Sequence, residues 1–286
     1  MAAVKYTPFR TGETTINISG DVPYITFRAF EEAKELVCVF STRKGGVSSG
    51  MFASMNLGRM EMDGRDNVVK NYEIFAEAAG INPENIIISD QQHTDNIMIV
   101  SKKDRGKGLY REKTYSAVDG FITNERETAL CLLFADCVPV FLYDPVKKAI
   151  GLVHSGWKGT AKEISKKAVR MLEKNYKSNP SDIISVIAPS ICRNCYEVSG
   201  DLYDAFCAKF SPKELAQIFF PKDNGKFQLD LWQANRIILK KAGLTDENIH
   251  ITDLCTCCNS SLLFSHRASK GKRGNLAGII MLTQEA

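Results

Sequence analysis

The chain has 286 residues, 44% hydrophobic and 24% charged, which is ordinary for a globular protein and long enough to bury a large core. Its formal charge of +4 is small, and the basic residues are scattered apart from 101–108 (SKKDRGKG) and 269–274 (SKGKRG), both read as solvated loops, so nucleic acid is not an expected partner. No apolar stretch approaches the ~18 residues that span a bilayer, and the N-terminus MAAVKYTPFRTGETT lacks the apolar segment of a signal peptide, so a soluble cytoplasmic protein with no membrane partner is expected.

In chain order, a strand is predicted at 36–41. A helix follows over 66–79, presenting Val69, Tyr72, Ile74 and Phe75 and closing at Gly80. Strands at 85–89 and 96–100 flank a polar turn, 90–95, that carries His93. The stretch LCLLFADCVPVFLYD (130–144) reads as a buried strand interrupted by Asp136 and Cys137. The turn signal Asp144-Pro145 then leads into a strand at 149–154 that ends in His154, so 130–143 and 149–154 are expected to pair antiparallel. Thr160 and Glu163 read as a capping box opening a helix over 160–176, and Asp230 with Gln233 as another, opening a helix that ends at Gly243. Further strands are predicted at 183–188, 250–254 and 277–283. Helices alternating with strands give an α/β or α+β class with a mixed sheet, and with no linker visible, residues 1–286 read as a single domain.

The chain has only four histidines, and His93 and His154 both fall at strand ends in polar contexts. With Cys137 they form two imidazoles and one thiolate, a set that leaves the fourth tetrahedral position of a zinc ion open, as catalytic sites do. The spacings of 44 and 17 residues make no local metal motif, and a cysteine in an apolar strand is by itself more often a core residue. Cys192/Cys195 and Cys255/Cys257/Cys258 hint at a four-cysteine site. The gap between the pairs far exceeds that of a zinc ribbon, and the intervening sequence reads as two helices, so such a site is not expected.

Seven collinear stretches carry a resemblance: STRKGGVSSGMFASMNLG (41–58), DQQHTDN (90–96), DGFIT (119–123), FADCVPVFLYDP (134–145), GLVHSGWKGT (151–160), APSICRNCYEV (188–198), and DLCTCC with FSHR (253–267). From about residue 36 to the C-terminus the chain closely resembles the YfiH-like family, labelled multicopper polyphenol oxidase or laccase-domain protein and regarded as purine nucleoside phosphorylases with adenosine deaminase side activity. The resemblance implies zinc ligands at His93, Cys137 and His154. It also implies one α/β (α+β) domain of mixed β-sheets sandwiched between helices, similar to the catalytic domain of cytotoxic necrotizing factor toxins. The implied substrates are purine nucleosides (adenosine, inosine, guanosine, with methylthioadenosine a further one) and inorganic phosphate, handled by a monomer or small homo-oligomer. SHRAS in place of a double-arginine form, and ICRNCYEV in place of a Gly-Pro-Cys form, are departures that bear on substrate contacts rather than on the metal.

Phosphorolysis needs an anion site, and guanidinium forks and close backbone approach suit one. Arg43 beside Gly45-Gly46, with Asn56 as polar partner, is therefore assigned to phosphate; Arg267 is a second clamp, and Lys158 a third cation near the helix start. Each has a plainer reading: surface charge for Arg43, a turn cap for Asn56, solvation for Lys158. Trp157 stacks on a purine or packs on the core, and Asp136 is read as a structural acid. Two other functions compete. A copper oxidase would need many histidines in His-x-His pairs, and this chain has four and no such pair. An amidase editing a cell-wall precursor would use Cys137 as nucleophile and His154 as base.

Overall fold

Two sheets take up most of the apolar strand sequence, in a computed structural model that describes residues 9–10 and 12–284; positions 1–8 of the N-terminal extension lie outside it. The first sheet runs Phe9–Arg10, Thr14–Ser19, Val22–Phe27, Leu36–Ser41, Leu276–Leu282, Ala129–Phe134, Ile86–Ile88. It is antiparallel except for the parallel pair at its Ile86–Ile88 edge. The second runs Ile249–Ile251, Ile184–Ile187, Val138–Asp144, Ala149–Ser155, Gly120–Thr123, Ile97–Ile99, antiparallel in the middle and parallel at both edges.

The sheets pack face to face because both inner faces are apolar. Phe27, Phe40, Phe134 and Ile280 from the first meet Phe141, Ile150 and Leu152 from the second in one buried cluster. The Phe27 and Phe141 rings lie 5.3 Å apart. Gly278 permits the approach: a Cβ there would stand 2.8 Å from the Phe141 ring. Helix Arg65–Ala78 covers the outer face of the first sheet with Val68, Tyr72 and Phe75, and helices Ile164–Tyr176 and Leu231–Lys241 cover the second. Strands buried on both faces read as continuous apolar runs, which explains sequences such as Val138–Asp144. The predicted mixed α/β architecture, sheets between helices, is the one observed. Among the described residues no helix is long and apolar enough to cross a membrane.

Several local expectations are corrected. The stretch 130–143 is two strands in two different sheets, and Ala135, Asp136 and Cys137 are the passage between them, with Asp136 at φ +90°. The expected antiparallel pair therefore involves only its second half, with Val138 opposite Ser155 and Pro139 opposite His154. Thr160 caps nothing with Glu163. The helix there is split into Trp157–Ala161 and Ile164–Tyr176, and the Thr160 hydroxyl is engaged in a buried network with Ser155 and Asn235. The expected box at Asp230 holds in part, its side chain accepting from Gln233 N. Between Cys195 and Cys255 lie three helices and a small three-stranded sheet rather than two helices.

One tie at the far end of the second sheet yields a pH prediction. The Glu35 carboxylate accepts from Lys148 Nζ and, at 2.5 Å, from Tyr143 Oη; these contacts hold it at about 2, below its usual 4.5. The stability it contributes is present above pH 4.5 and lost as pH falls toward 2. With Lys148 half exposed, Glu35→Gln is expected to cost about 1 kcal/mol at pH 7. In denaturant titrations the difference from the parent should vanish near pH 2.

Candidate active site

His93, Cys137 and His154 arrive on three separate segments. Cys137 stands on the passage between the sheets, just ahead of Val138–Asp144. His154 sits near the end of Ala149–Ser155, the paired neighbour of that strand, so antiparallel register alone brings the two together. His93 comes from the polar turn between Ile86–Ile88 and Ile97–Ile99, in a left-handed conformation at φ +59°. One ligand atom from each of the three lies within 4.8 Å of the others. Cys137 Sγ stands 4.0 Å from His93 Nε2, and the two imidazole rings are edge to face with centroids 4.8 Å apart.

Asp119, fully buried ahead of strand Gly120–Thr123, organises both histidines. Its carboxylate accepts the backbone N–H groups of Gln92, His93 and Thr94, the Thr94 hydroxyl, and the Nδ1–H of His154 at 2.8 Å. Burial would raise this acid, but the His154 and Thr94 donors bring it down to about 2. With Nδ1 fixed on a carboxylate, His154 has Nε2 left for a ligand, the usual orientation of a metal-binding histidine. Burial would also raise the Cys137 thiol; His154 and then His93 pull it down to about 6, while the thiolate and Asp119 hold the His154 imidazolium up to about 9 despite its burial. Gly156 completes the cradle, since a Cβ there would stand 2.9 Å from Cys137 Sγ.

These donors fit a tetrahedral ion. Metal–sulfur and metal–nitrogen bonds of ordinary length place ligand S and N about 3.6 Å apart, close to the 4.0 Å observed between Cys137 and His93. A cavity of about 260 Å³ opens over the three, its wall formed in part by Gln91, Lys113, Arg273 and Asn275. Burial and the neighbouring Arg59 lower the Arg273 guanidinium to about 10. The Nε atoms of Arg59 and Arg273 are buried without a hydrogen-bond partner among the described residues. Arg273 belongs to the 269–274 run read from sequence as a solvated loop; only its lysines fit that description, Lys270 and Lys272 being exposed.

The other sequence-predicted residues lie elsewhere. Arg43 spends its guanidinium on the carbonyls of Ala53 and Ser260 and lies over the Phe264 ring at 4.5 Å, binding loops together away from the cavity wall. Asn56 is fully buried. Its amide oxygen accepts from Gly58 N and Asn275 N, and its nitrogen donates to Gly58 O and Asp63, so it ties the segment bearing Arg59 to the segment bearing Arg273. Arg267 donates to the carbonyls of Cys195 and Glu197, and its own N–H goes to Asp136. Lys158 is exposed over Trp157, whose ring packs on the core behind the second sheet. Asp136 is structural, its carboxylate filled by Thr256 Oγ1 and Arg267 N.

The four-cysteine expectation is overturned in its geometry: Cys192, Cys195, Cys255 and Cys258 bring their sulfurs within 4.8 Å of one another. Strands Ile184–Ile187 and Ile249–Ile251 pair in parallel, and the cysteine pairs follow from the same end of each. A crossover returns distant sequence to one place, which a rule built on local hairpins does not capture.

Comparison with known proteins shows the family and the fold. Residues 37–283 match the family model described as multi-copper polyphenol oxidoreductase laccase. The chain is 42% identical over 248 residues to "Purine nucleoside phosphorylase YlmD" of Bacillus subtilis (strain 168), covering 86% of this chain and 88% of that one. Crystal structures of the Bacillus licheniformis hypothetical protein YfiH (34% identity, TM-score 0.85, 97% and 100% of the two chains) and of YlmD from Geobacillus stearothermophilus (32%, 0.86, 94% and 99%) share the fold. This chain therefore belongs to the YfiH-like family of laccase-domain enzymes.

Proposed function

We propose that the protein is a zinc-dependent purine nucleoside phosphorylase. Hydrogen phosphate attacks C1′ of the nucleoside, the C1′–N9 bond breaks with its electron pair going to the base, the proton given up by the phosphate ends on that base, and free purine and ribose 1-phosphate leave. The observation that carries this reading is the convergence of His93, Cys137 and His154 beneath a cavity walled by Arg273. Those three residues would hold the zinc ion, which when bound supplies a Lewis acid for an oxygen of phosphate or substrate. Arg273, on the cavity wall with Arg59 near it, offers positive charge to phosphate. Asn56 enters as the residue that positions both arginines, and Arg43 and Arg267 as struts of the surrounding loops. Asp119 keeps the His154 proton on Nδ1. Deamination of adenosine by water attack on the purine ring belongs to the same proposal. Zinc is favoured over a multicopper centre because the chain has four histidines, and His250, for one, pairs with Glu13 far from this cluster in sequence.

The test is incubation of the metal-loaded protein with adenosine, inosine and guanosine, with and without phosphate. Base and ribose 1-phosphate should form only when phosphate is present. No base release from any of them would overturn the reading. One feature favours a second function: Cys137, His154 and Asp119 stand in line as thiolate, imidazole and orienting acid, the order of a cysteine amidase. A trapped acyl-enzyme on Cys137 with a cell-wall peptide amide would support that alternative.

A further inference from the structure

Outside the cavity, the second thiol cluster has the features of a structural metal site. Two Cys-x-x-Cys turns face each other, Cys192–Cys195 and Cys255–Cys258, each following one strand of the parallel pair. The turns are joined by a parallel bridge between Ser190 and Cys255 and by the bond from Thr256 N to Ser190 O. Cys195 Sγ and Cys258 Sγ are 3.4 Å apart, too far for a disulfide and near the ~3.8 Å that separates two thiolates on one tetrahedral zinc ion. Two backbone N–H groups, from Cys192 at 3.3 Å and Cys258 at 3.4 Å, point at the buried Cys255 sulfur. Donors aimed at sulfur in this way favour the thiolate over the thiol. Cys257, the ninth cysteine's neighbour in that turn, is left outside the four.

We propose that Cys192, Cys195, Cys255 and Cys258 bind a second ion, a structural zinc held by four thiolates and closed to substrate. Binding displaces the thiol protons to solvent and involves no change of oxidation state. The site has a clear structural task. The Cys255–Cys258 turn carries Thr256, which donates to Asp136, and the Cys192–Cys195 turn carries the Cys195 carbonyl that receives Arg267. The ion would fasten both turns to the passage between the sheets, immediately beside Cys137. It does not depend on the function proposed for the cavity.

The test is metal content per chain of protein purified under reducing conditions and loaded with zinc. Two equivalents are expected in the parent, one in Cys195→Ser/Cys258→Ser and one in Cys137→Ala; the latter two variants lose different ions, so failure of either site is seen separately. Because the double variant could fold poorly, the native parent is also titrated with an organomercurial: a zinc equivalent should leave in step with modification of four thiols, and that same step should be present in Cys137→Ala. Cobalt loading of Cys137→Ala should show strong thiolate-to-metal charge-transfer absorption. A single equivalent in the parent that disappears in Cys137→Ala would overturn the inference. So would a Cys195–Cys258 disulfide in anaerobically purified protein.

Discussion

Asp119→Asn is expected to loosen the metal centre and the fold together. The substitution preserves size but turns one carboxylate oxygen into an N–H donor. That donor would face groups that also donate: the backbone N–H of Gln92 and Thr94 and the Thr94 hydroxyl on one side, or His93 N and His154 Nδ1 on the other. Either orientation leaves buried donors opposed, at about 1–3 kcal/mol for each unsatisfied group, so a loss of about 2–4 kcal/mol in the metal-free protein is expected. The same change releases His154 from its tautomer and frees the turn that sets His93 at φ +59°. Partners of this kind govern metal affinity by about 10–100-fold, and the variant should give up its ion to a chelator at correspondingly lower concentration. Denaturant unfolding of metal-free protein and chelator competition read the two effects separately. Parent-like values in both would remove Asp119 from its organising role.

Asp119 also shows where sequence reading reached its limit. That Cys137 and His154 would be neighbours was legible because apolar runs and a turn signal predict an antiparallel pair, while the register that sets Pro139 opposite His154 came only with the fold. Helices such as Arg65–Ala78 and Leu231–Lys241 were legible from one apolar face and a closing glycine. Asp119 gave only a weak signal, an acid at the head of the strand GFIT, because its five donors come from positions 25 to 35 residues away and meet it only after the loop closes. Arg273 was hidden in a lysine-rich run whose composition suggests solvent, though the fold turns this one guanidinium inward. The interruption at 135–137 read as a break in one strand. It is a transfer between two sheets, and the same local sequence serves both descriptions until the partners of each half are known. Family resemblance supplied the metal assignment that spacing could not, while the second cysteine cluster required the parallel crossover itself.

Cys137→Ala carries the largest expected effect on activity. Without the thiolate, only two imidazoles remain, one of them on an exposed turn, and the cavity-side ion should be lost while the tetrathiolate one stays. Base release from purine nucleosides should fall by at least about 10²–10³-fold, the scale on which loss of a principal electrostatic group acts. Stability of the metal-free protein should change little, by about 1 kcal/mol or less, because the side chain removed is small and half-buried and His154, without the thiolate, keeps its bond to Asp119. That contrast between lost metal and retained fold is what separates a ligand from a core residue. Cys137→Ser sharpens the comparison: it keeps the volume beside Gly156 but replaces sulfur with a hydroxyl that stays protonated, so it should resemble alanine in metal content. If alanine at 137 retained the ion at parental affinity, Cys137 would not be a ligand. If the ion were lost and base release continued at the parental rate, the centre would be structural and the chemistry would have to lie elsewhere in the cavity.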